Sequence, residues 1–320
     1  MFLVHNSPEQ APLLAAAIVS ACRMPDGWPA PAQPQVLQVL FDRLLGFHAD
    51  FEQLAPAEPA EAAALLPDPE QRRELIELMA TMEMMCRPIP PALQASVDGW
   101  ARALGVEDRT LTLARDLACD ARQRATADFY RLNWIGDADP QQDESFRQSL
   151  ERHGAPAYAL TFEENPQERA RWARLADCPE ASLGRALAQF YQQRGFKLPG
   201  EIGGANAALA QHDWVHVIAD YDTTAIGELE VTAFIASASR SPGAVLGFVG
   251  AVSLYETGLL ESVVTHSYSA TLSAPGGAER VAAAILNGKR CRIDPLVGID
   301  YFTIADEPLD AVRRRFGLAP

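Results

Sequence analysis

Apolar residues recur three and four positions apart along nearly the whole chain, while runs of alternating β-branched residues are almost absent. That spacing puts an apolar stripe on one face of helix after helix and leaves a strand no face to bury. It predicts an all-α fold. Of the 320 residues, 48% are apolar and 22% charged, so the helices can bury enough surface to offset the ordering entropy of the chain. A chain of this length is expected to form two domains rather than one.

Proline and glycine mark where the helices stop. "LLAAAIVSACRMPDGWPAPAQPQVLQVLFDRLLG" and "LIELMATMEMMCRPIPPALQASVDGWARALG" each read as a helix, a proline-rich turn and a second helix closed by a Leu-Gly step. Two such hairpins can bury their stripes on each other as a small bundle. Between them, residues 57–71 read as a loop with a short helix. At "NWIGDADPQQDES" the apolar periodicity gives way to Gly, Pro, Asp and Gln. This boundary predicts a helical domain over residues 1–135 and a second multi-helix bundle, carrying a metal site, over 136–320.

A formal charge of -15 repels phosphate backbones, which excludes nucleic acid as a partner in the absence of a basic groove. The short basic runs, Lys289-Arg290 with Arg292 and Arg313 to Arg315, read as solvated helix ends, with an anchor for anionic lipid as the alternative. Cys22, Cys86, Cys119, Cys178 and Cys291 form no CxxC pair and fit buried free thiols in a reducing compartment. "APLLAAAIVSAC" follows an acidic residue rather than basic ones and reads as a core helix, not a signal peptide. No apolar run reaches the ~18 residues that a membrane span needs, so a cytoplasmic protein is expected, with membrane contact at most peripheral.

Ligand-type side chains concentrate in "QHDWVHVIADYDTTAIGELE", residues 211–230. On a helix His212 and His216 project from one face, and Asp213 flanks it. At "DYDTT" the helix ends, Asp222, Thr223 or Thr224 can cap the next one, and Glu228 falls in its first turns. A tight turn between antiparallel helices would bring Glu228 back towards the histidines. Two neutral imidazoles and two carboxylates offset a divalent cation and suit zinc, with ferrous iron or manganese also served. If all four residues bind, the site is closed; if Asp213 or Glu228 stands back, a position is open for substrate. The plain alternative is the polar face of an ordinary helix. Competing motifs are missing: there is no pair of E-x-x-H motifs for a di-iron site, and no nucleophile elbow.

With His212, Asp213, His216 and Glu228 in place, the segment has the pattern H-D-x-x-H-x11-E and resembles the ubiquinone (coenzyme Q) biosynthesis protein four family. "SLGRALAQFYQQRGF", "TTAIGELEVTAF" and "PLDAVRRRFGLAP" are similar to that family's flanking helices, and the resemblance runs from Ser182 to Pro320. It implies an all-helical metal-binding protein, a homodimer peripheral to the inner membrane and associated with other proteins of a biosynthetic complex. The implied activity is that of a lyase-type decarboxylase and hydroxylase on a prenylated quinone precursor, replacing the ring carboxylate at C1 by hydroxyl. Under this implication His212, Asp213, His216 and Glu228 are the metal ligands, and Asp213 or Glu228 moves a proton. Alternatives are a non-catalytic quinone-lipid binding or scaffold protein, and a metalloenzyme of secondary metabolism acting on a soluble aromatic acid.

Residues 8–125 resemble the tellurite-resistance TerB family, with Asp26-Gly27 at its acidic turn; the second turn, "CRPIPPAL", has no acid, so a packing or docking module is expected there. Residues 242–264 and "GAERVAAAILNGKR" each read as a helix, and the glycines of "PGAVLGFVGAVSLY" permit close helix packing or leave room for a prenyl chain. Phe190, Tyr191 and Trp214 read as core aromatics first and pocket lining second.

Overall fold

The computed structural model describes residues 5–137 and 144–318; residues 138–143 of the expected domain boundary and the last two of the closing helix motif lie outside it. All regular elements among the described residues are helices, as the periodicity predicts, with only isolated bridges such as Leu160 to Ala205 and Ser182 to Pro308. The first half contains α1 (Ala11–Cys22), α2 (Gln33–Leu45), α3 (Pro59–Leu65), α4 (Pro69–Met84), α5 (Pro91–Leu104), α6 (Arg109–Ala118), α7 (Arg122–Leu132) and the one-turn α8 (Trp134–Asp137). The second contains α9 (Glu144–His153), α10 (Pro166–Ala173), α11 (Leu183–Arg194), α12 (Ala207–Ala219), α13 (Ala225–Ala238), α14 (Ala244–Val252), α15 (Gly277–Arg290) and α16 (Leu309–Phe316).

The repeat takes the expected form: α1–α2 and α4–α5 are each a helix, a proline-rich turn and a helix. Both end in a left-handed glycine, Gly46 at φ +63° and Gly105 at φ +66°, the conformation that lets a helix stop without a Cβ clash. Proline in the first turn of α1 to α5 costs no hydrogen bond, because that N–H has no helical acceptor. The apolar stretch at the N-terminus is α1, a core helix with Leu14, Ile18 and Val19 buried. Cys22 and Cys86 are buried as expected of free thiols, whereas Cys119 is exposed and Cys178 and Cys291 are half-buried. The predicted helix over residues 242–264 stops early: α14 passes into a π turn at Ser253–Thr257 and ends at Gly258.

The larger core draws on both halves of the sequence, from Ala11 in α1 to Ile285 in α15. There α15 lies along α2 and α13, while α14 packs against α4, α6 and α7. A smaller aromatic core holds Trp172, Phe190, Trp214, Tyr301 and Phe316, with Trp214 stacked on Tyr301 at 5.2 Å. Within the larger core the α4 carboxylate of Glu83 is fully buried and receives Arg115 from α6 through two bonds, of 2.9 and 3.3 Å.

The α14 glycines serve close packing rather than a prenyl chain. Gly243 lies on the Asn133 backbone, Gly247 on the six-membered ring of Trp134, and Gly250 on the Phe129 ring, each too close to admit a Cβ. Gly247→Ala should therefore destabilise the protein by about 1–3 kcal/mol, the usual cost of forcing a methyl into a filled core. Chemical denaturation checks this, and unchanged stability would mean that Trp134 is free to move aside.

Candidate metal centre

Helix α12 begins at Asn206, whose side chain accepts from Leu209 N at 2.9 Å, and it places His212 and His216 on one face. Its opposite side supplies Ala210, Trp214 and Ile218 to the smaller core. It ends at Asp220 in the left-handed conformation, φ +60°, and Arg313 of α16 donates to the open carbonyls of Val217 and Ile218 at 3.0 Å. Part of the C-terminal basic run is thus a helix cap. Of the three candidate caps, Thr224 starts α13, with its hydroxyl accepting from Gly227 N. Gly227 sits so close to the Asp222 backbone that a Cβ would not fit. This tight turn folds the first turn of α13, with Glu228, back onto α12.

Glu228 Oε1 lies 3.4 Å from His216 Nε2, and Oε2 lies 3.9 Å from His212 Nε2. One ligand atom from each of the three falls within 4.8 Å of the others, forming a group able to hold a metal ion. Asp213, the fourth residue of the motif, stands at the edge of this group. Its Oδ1 is 3.5 Å from His212 Nε2, and its Oδ2 accepts from the Tyr191 hydroxyl at 2.5 Å. Asp26 belongs to no such cluster among the described residues.

The imidazole orientations distinguish this arrangement from an ordinary polar face. His212 Nδ1 meets Leu209 O at 2.5 Å and His216 Nδ1 meets Tyr221 O at 3.2 Å. A backbone carbonyl only accepts, so each Nδ1 carries a proton and each ring turns its Nε2 towards Glu228, the orientation metal-ligating histidines adopt. The His216 side chain is 0% exposed, and its Nε2 has no hydrogen-bond partner among the described residues. In the neutral ring that nitrogen is left unpaired at a cost of about 1–3 kcal/mol, which an ion would remove. The donor set therefore fits a divalent cation.

Without an ion the same atoms form a charged pair. Burial works to lower the His216 imidazole, but Glu228 outweighs it and the net shift is upward. Burial works to raise Glu228, and His216 with His212 outweighs it in turn, so the carboxyl is held below its usual range.

The group opens on a cavity of about 600 Å³. Tyr191 and Phe196 line it from α11 and the following loop, and Tyr255 from the π turn, a distortion that often marks a functional position. Burial first, and the Glu228 charge second, push the Tyr255 phenol well above its usual value. Tyr191 thus both lines the cavity and holds Asp213, while Trp214 stays in the core and Phe190 packs beside the His216 ring at 5.7 Å. The sequence reading missed one wall: Phe129 and Tyr130 of α7, Trp134 of α8 and Asn133 between them, all in the first half. The aromatic run "DFYRLNW" is the one signal that could have found them.

Fold and site together define an all-α protein with a His/His/Glu group able to hold a divalent ion. No helix among the described residues is long and apolar enough to cross a membrane. No family model matches the chain, and no curated protein matches its sequence. Solved structures similar to it include a crystal structure from Nostoc punctiforme PCC 73102 provisionally named a ubiquinone biosynthesis protein. The two are 17% identical over 75% of this chain and 96% of the other, with a TM-score of 0.34, a likeness too remote to carry an argument.

Proposed function

We propose that this chain is a metal-dependent protein of ubiquinone biosynthesis that acts on the aromatic head group of a prenylated quinone precursor, exchanging the ring carboxylate at C1 for hydroxyl. What supports the reading is the convergence of His212, His216 and Glu228 beside a cavity walled by aromatic side chains. In this reading the three hold zinc, or iron or manganese, and a position remains open for a substrate oxygen. A divalent ion there supplies Lewis-acid stabilisation of charge on the substrate carboxylate or phenolate. Asp213, steadied by Tyr191, takes the ring hydroxyl proton at Oδ1, and Glu228 shares that work through an oxygen not bound to the ion. Exchange of carboxylate for hydroxyl releases carbon dioxide, inserts one oxygen atom and removes two electrons from the ring. It therefore needs an external two-electron oxidant such as dioxygen.

A prenyl tail would leave through the mouth of the cavity. Phe196 and Val264 line the cavity and are exposed, and exposed Ile202 and Tyr268 stand beside other lining residues. Organic extraction of the purified, metal-loaded protein should yield a polyprenylated aromatic compound, read by mass spectrometry. An empty extract together with turnover of a soluble aromatic acid would retire the lipid substrate in favour of a related metalloenzyme. Bound lipid without turnover would leave a carrier or scaffold.

A further inference from the structure

We propose that Arg280 and Asn287 of α15 are positioning residues of the metal centre. They fix the rotation of α13 and the turn before it, so that Glu228 and not Glu230 meets the histidines. The proposal rests on the metal-centre reading above and gives α15, which packs along α2 of the first half, a part in the site.

The stretch "GELE" sets two carboxylates two residues apart on α13. Each residue turns a helix by about 100°, so Glu228 and Glu230 leave α13 on nearly opposite sides. Glu228 turns towards α12, with its oxygens 3.4 Å from His216 Nε2 and 3.9 Å from His212 Nε2. Glu230 turns towards α15, where Arg280 Nε donates to its Oε1 at 2.9 Å and Nη2 to its Oε2 at 2.5 Å. Such a fork is directional, because the planar guanidinium must match both carboxylate oxygens at once. The Glu230 side chain is 9% exposed, so water competes for it less than for the carboxylate of a surface ion pair. A helix held this way on one side has its other side aimed as well.

The same face of α15 reaches the turn between α12 and α13. Arg280 Nη2 lies 3.7 Å from Asp222 Oδ2. Asp222 Oδ1 in turn accepts from Thr224 N at 2.8 Å and from the hydroxyl of Thr224, the residue that starts α13. Asn287 stands two helical turns beyond Arg280 on that face, and its Nδ2 donates to the Tyr221 hydroxyl at 3.3 Å. Tyr221 O is the acceptor that orients His216 through Nδ1. Arg280 therefore acts on Glu228, and Asn287 on His216, from the two sides of one short turn.

Zinc affinity, read by competition with a chromophoric chelator, and the visible spectrum of the cobalt(II)-substituted protein test this. Arg280→Gln should bind zinc about 10- to 100-fold more weakly, the range for partners that orient metal ligands, and its cobalt bands should shift as Glu228 leaves its place. Arg280→Lys keeps the charge without the fork and should fall between that variant and the wild type. Asn287→Ala should weaken zinc by about fivefold, the net worth of one neutral hydrogen bond. Should Arg280→Gln fold poorly with Glu230 left charged, Arg280→Gln combined with Glu230→Gln removes charge and fork together and should show the same loss of affinity. A merely structural role would lower the melting temperature of the chelated protein and leave zinc affinity and cobalt spectrum unchanged. That result, in variants that keep their helices, overturns this proposal alone. Failure of the wild type to bind zinc overturns the metal centre itself.

Discussion

His216→Ala should lose its zinc while keeping its helices. The imidazole is fully buried, its Nδ1 is committed to Tyr221 O, and its Nε2 is one of three ligand atoms. Loss of a supporting partner alone weakens metal sites 10- to 100-fold, so removal of a ligand should cost more than about 100-fold in affinity. Metal analysis beside circular dichroism reads both quantities, and equal zinc in variant and wild type would remove the basis of the functional reading. Proton competition adds a second signature. Because the metal-free fold holds His216 above its ordinary value, the His216–Glu228 pair stabilises that fold fully below about pH 6.5, and the contribution is lost as pH rises through the raised value. Zinc needs the neutral ring, so its affinity moves the other way and weakens as pH falls through the same range. Thermal melts of wild type minus His216→Ala, with chelator and with zinc, should slope in opposite directions.

Arg115→Ala should be among the most damaging substitutions in the first half, costing about 1.5–3 kcal/mol at pH 8, the worth of hydrogen bonds to a charged group, as the buried Glu83 loses its partner. Glu83 is 0% exposed; burial pushes its carboxyl up to about 7 even while Arg115 pulls it down. Removing the guanidinium raises it further, so near neutral pH the group takes up a proton rather than stay charged. A carboxyl raised in the fold contributes stability when protonated and loses it as pH rises from about 4.5 through the folded value. The deficit should therefore shrink as pH falls towards 5. Urea denaturation at the two pH values measures it, and Glu83→Gln in the Arg115→Ala background should recover part of the loss. An equal deficit at both pH values would show that Arg115 acts through packing and not through Glu83.

Much of this protein was legible because helical signals are local. The glycine stops at Gly46 and Gly105, the span of α15 and the shared face of His212 and His216 each depend on residues within a few positions of one another. Glu228 was legible for the same reason, since a turn of a few residues between antiparallel helices leaves little freedom in where α13 begins. The helix read across residues 242–264 was too long because apolarity alone does not register the π turn, whose backbone carbonyls the loop after Gly258 takes up: Tyr268 N donates to Leu254 O and Ala270 N to Glu256 O. The glycines of α14 were ambiguous because a missing Cβ looks the same whether an indole or a ligand fills the space; Trp134 and Phe129 fill it.

By itself the sequence determined the helical class, the helix ends and the near-neighbour part of the site, because these follow from the period of the α-helix and from short turns. Tertiary structure alone decided that α7 and α8 wall the cavity, that Tyr191 holds Asp213, and that the imidazole Nε2 atoms face the carboxylate. The physical reason is distance along the chain. Trp134 seats on Gly247 of α14 and from there meets the His212 ring at 6.3 Å, and side-chain packing between helices so far apart leaves no periodic trace in the residues that make it.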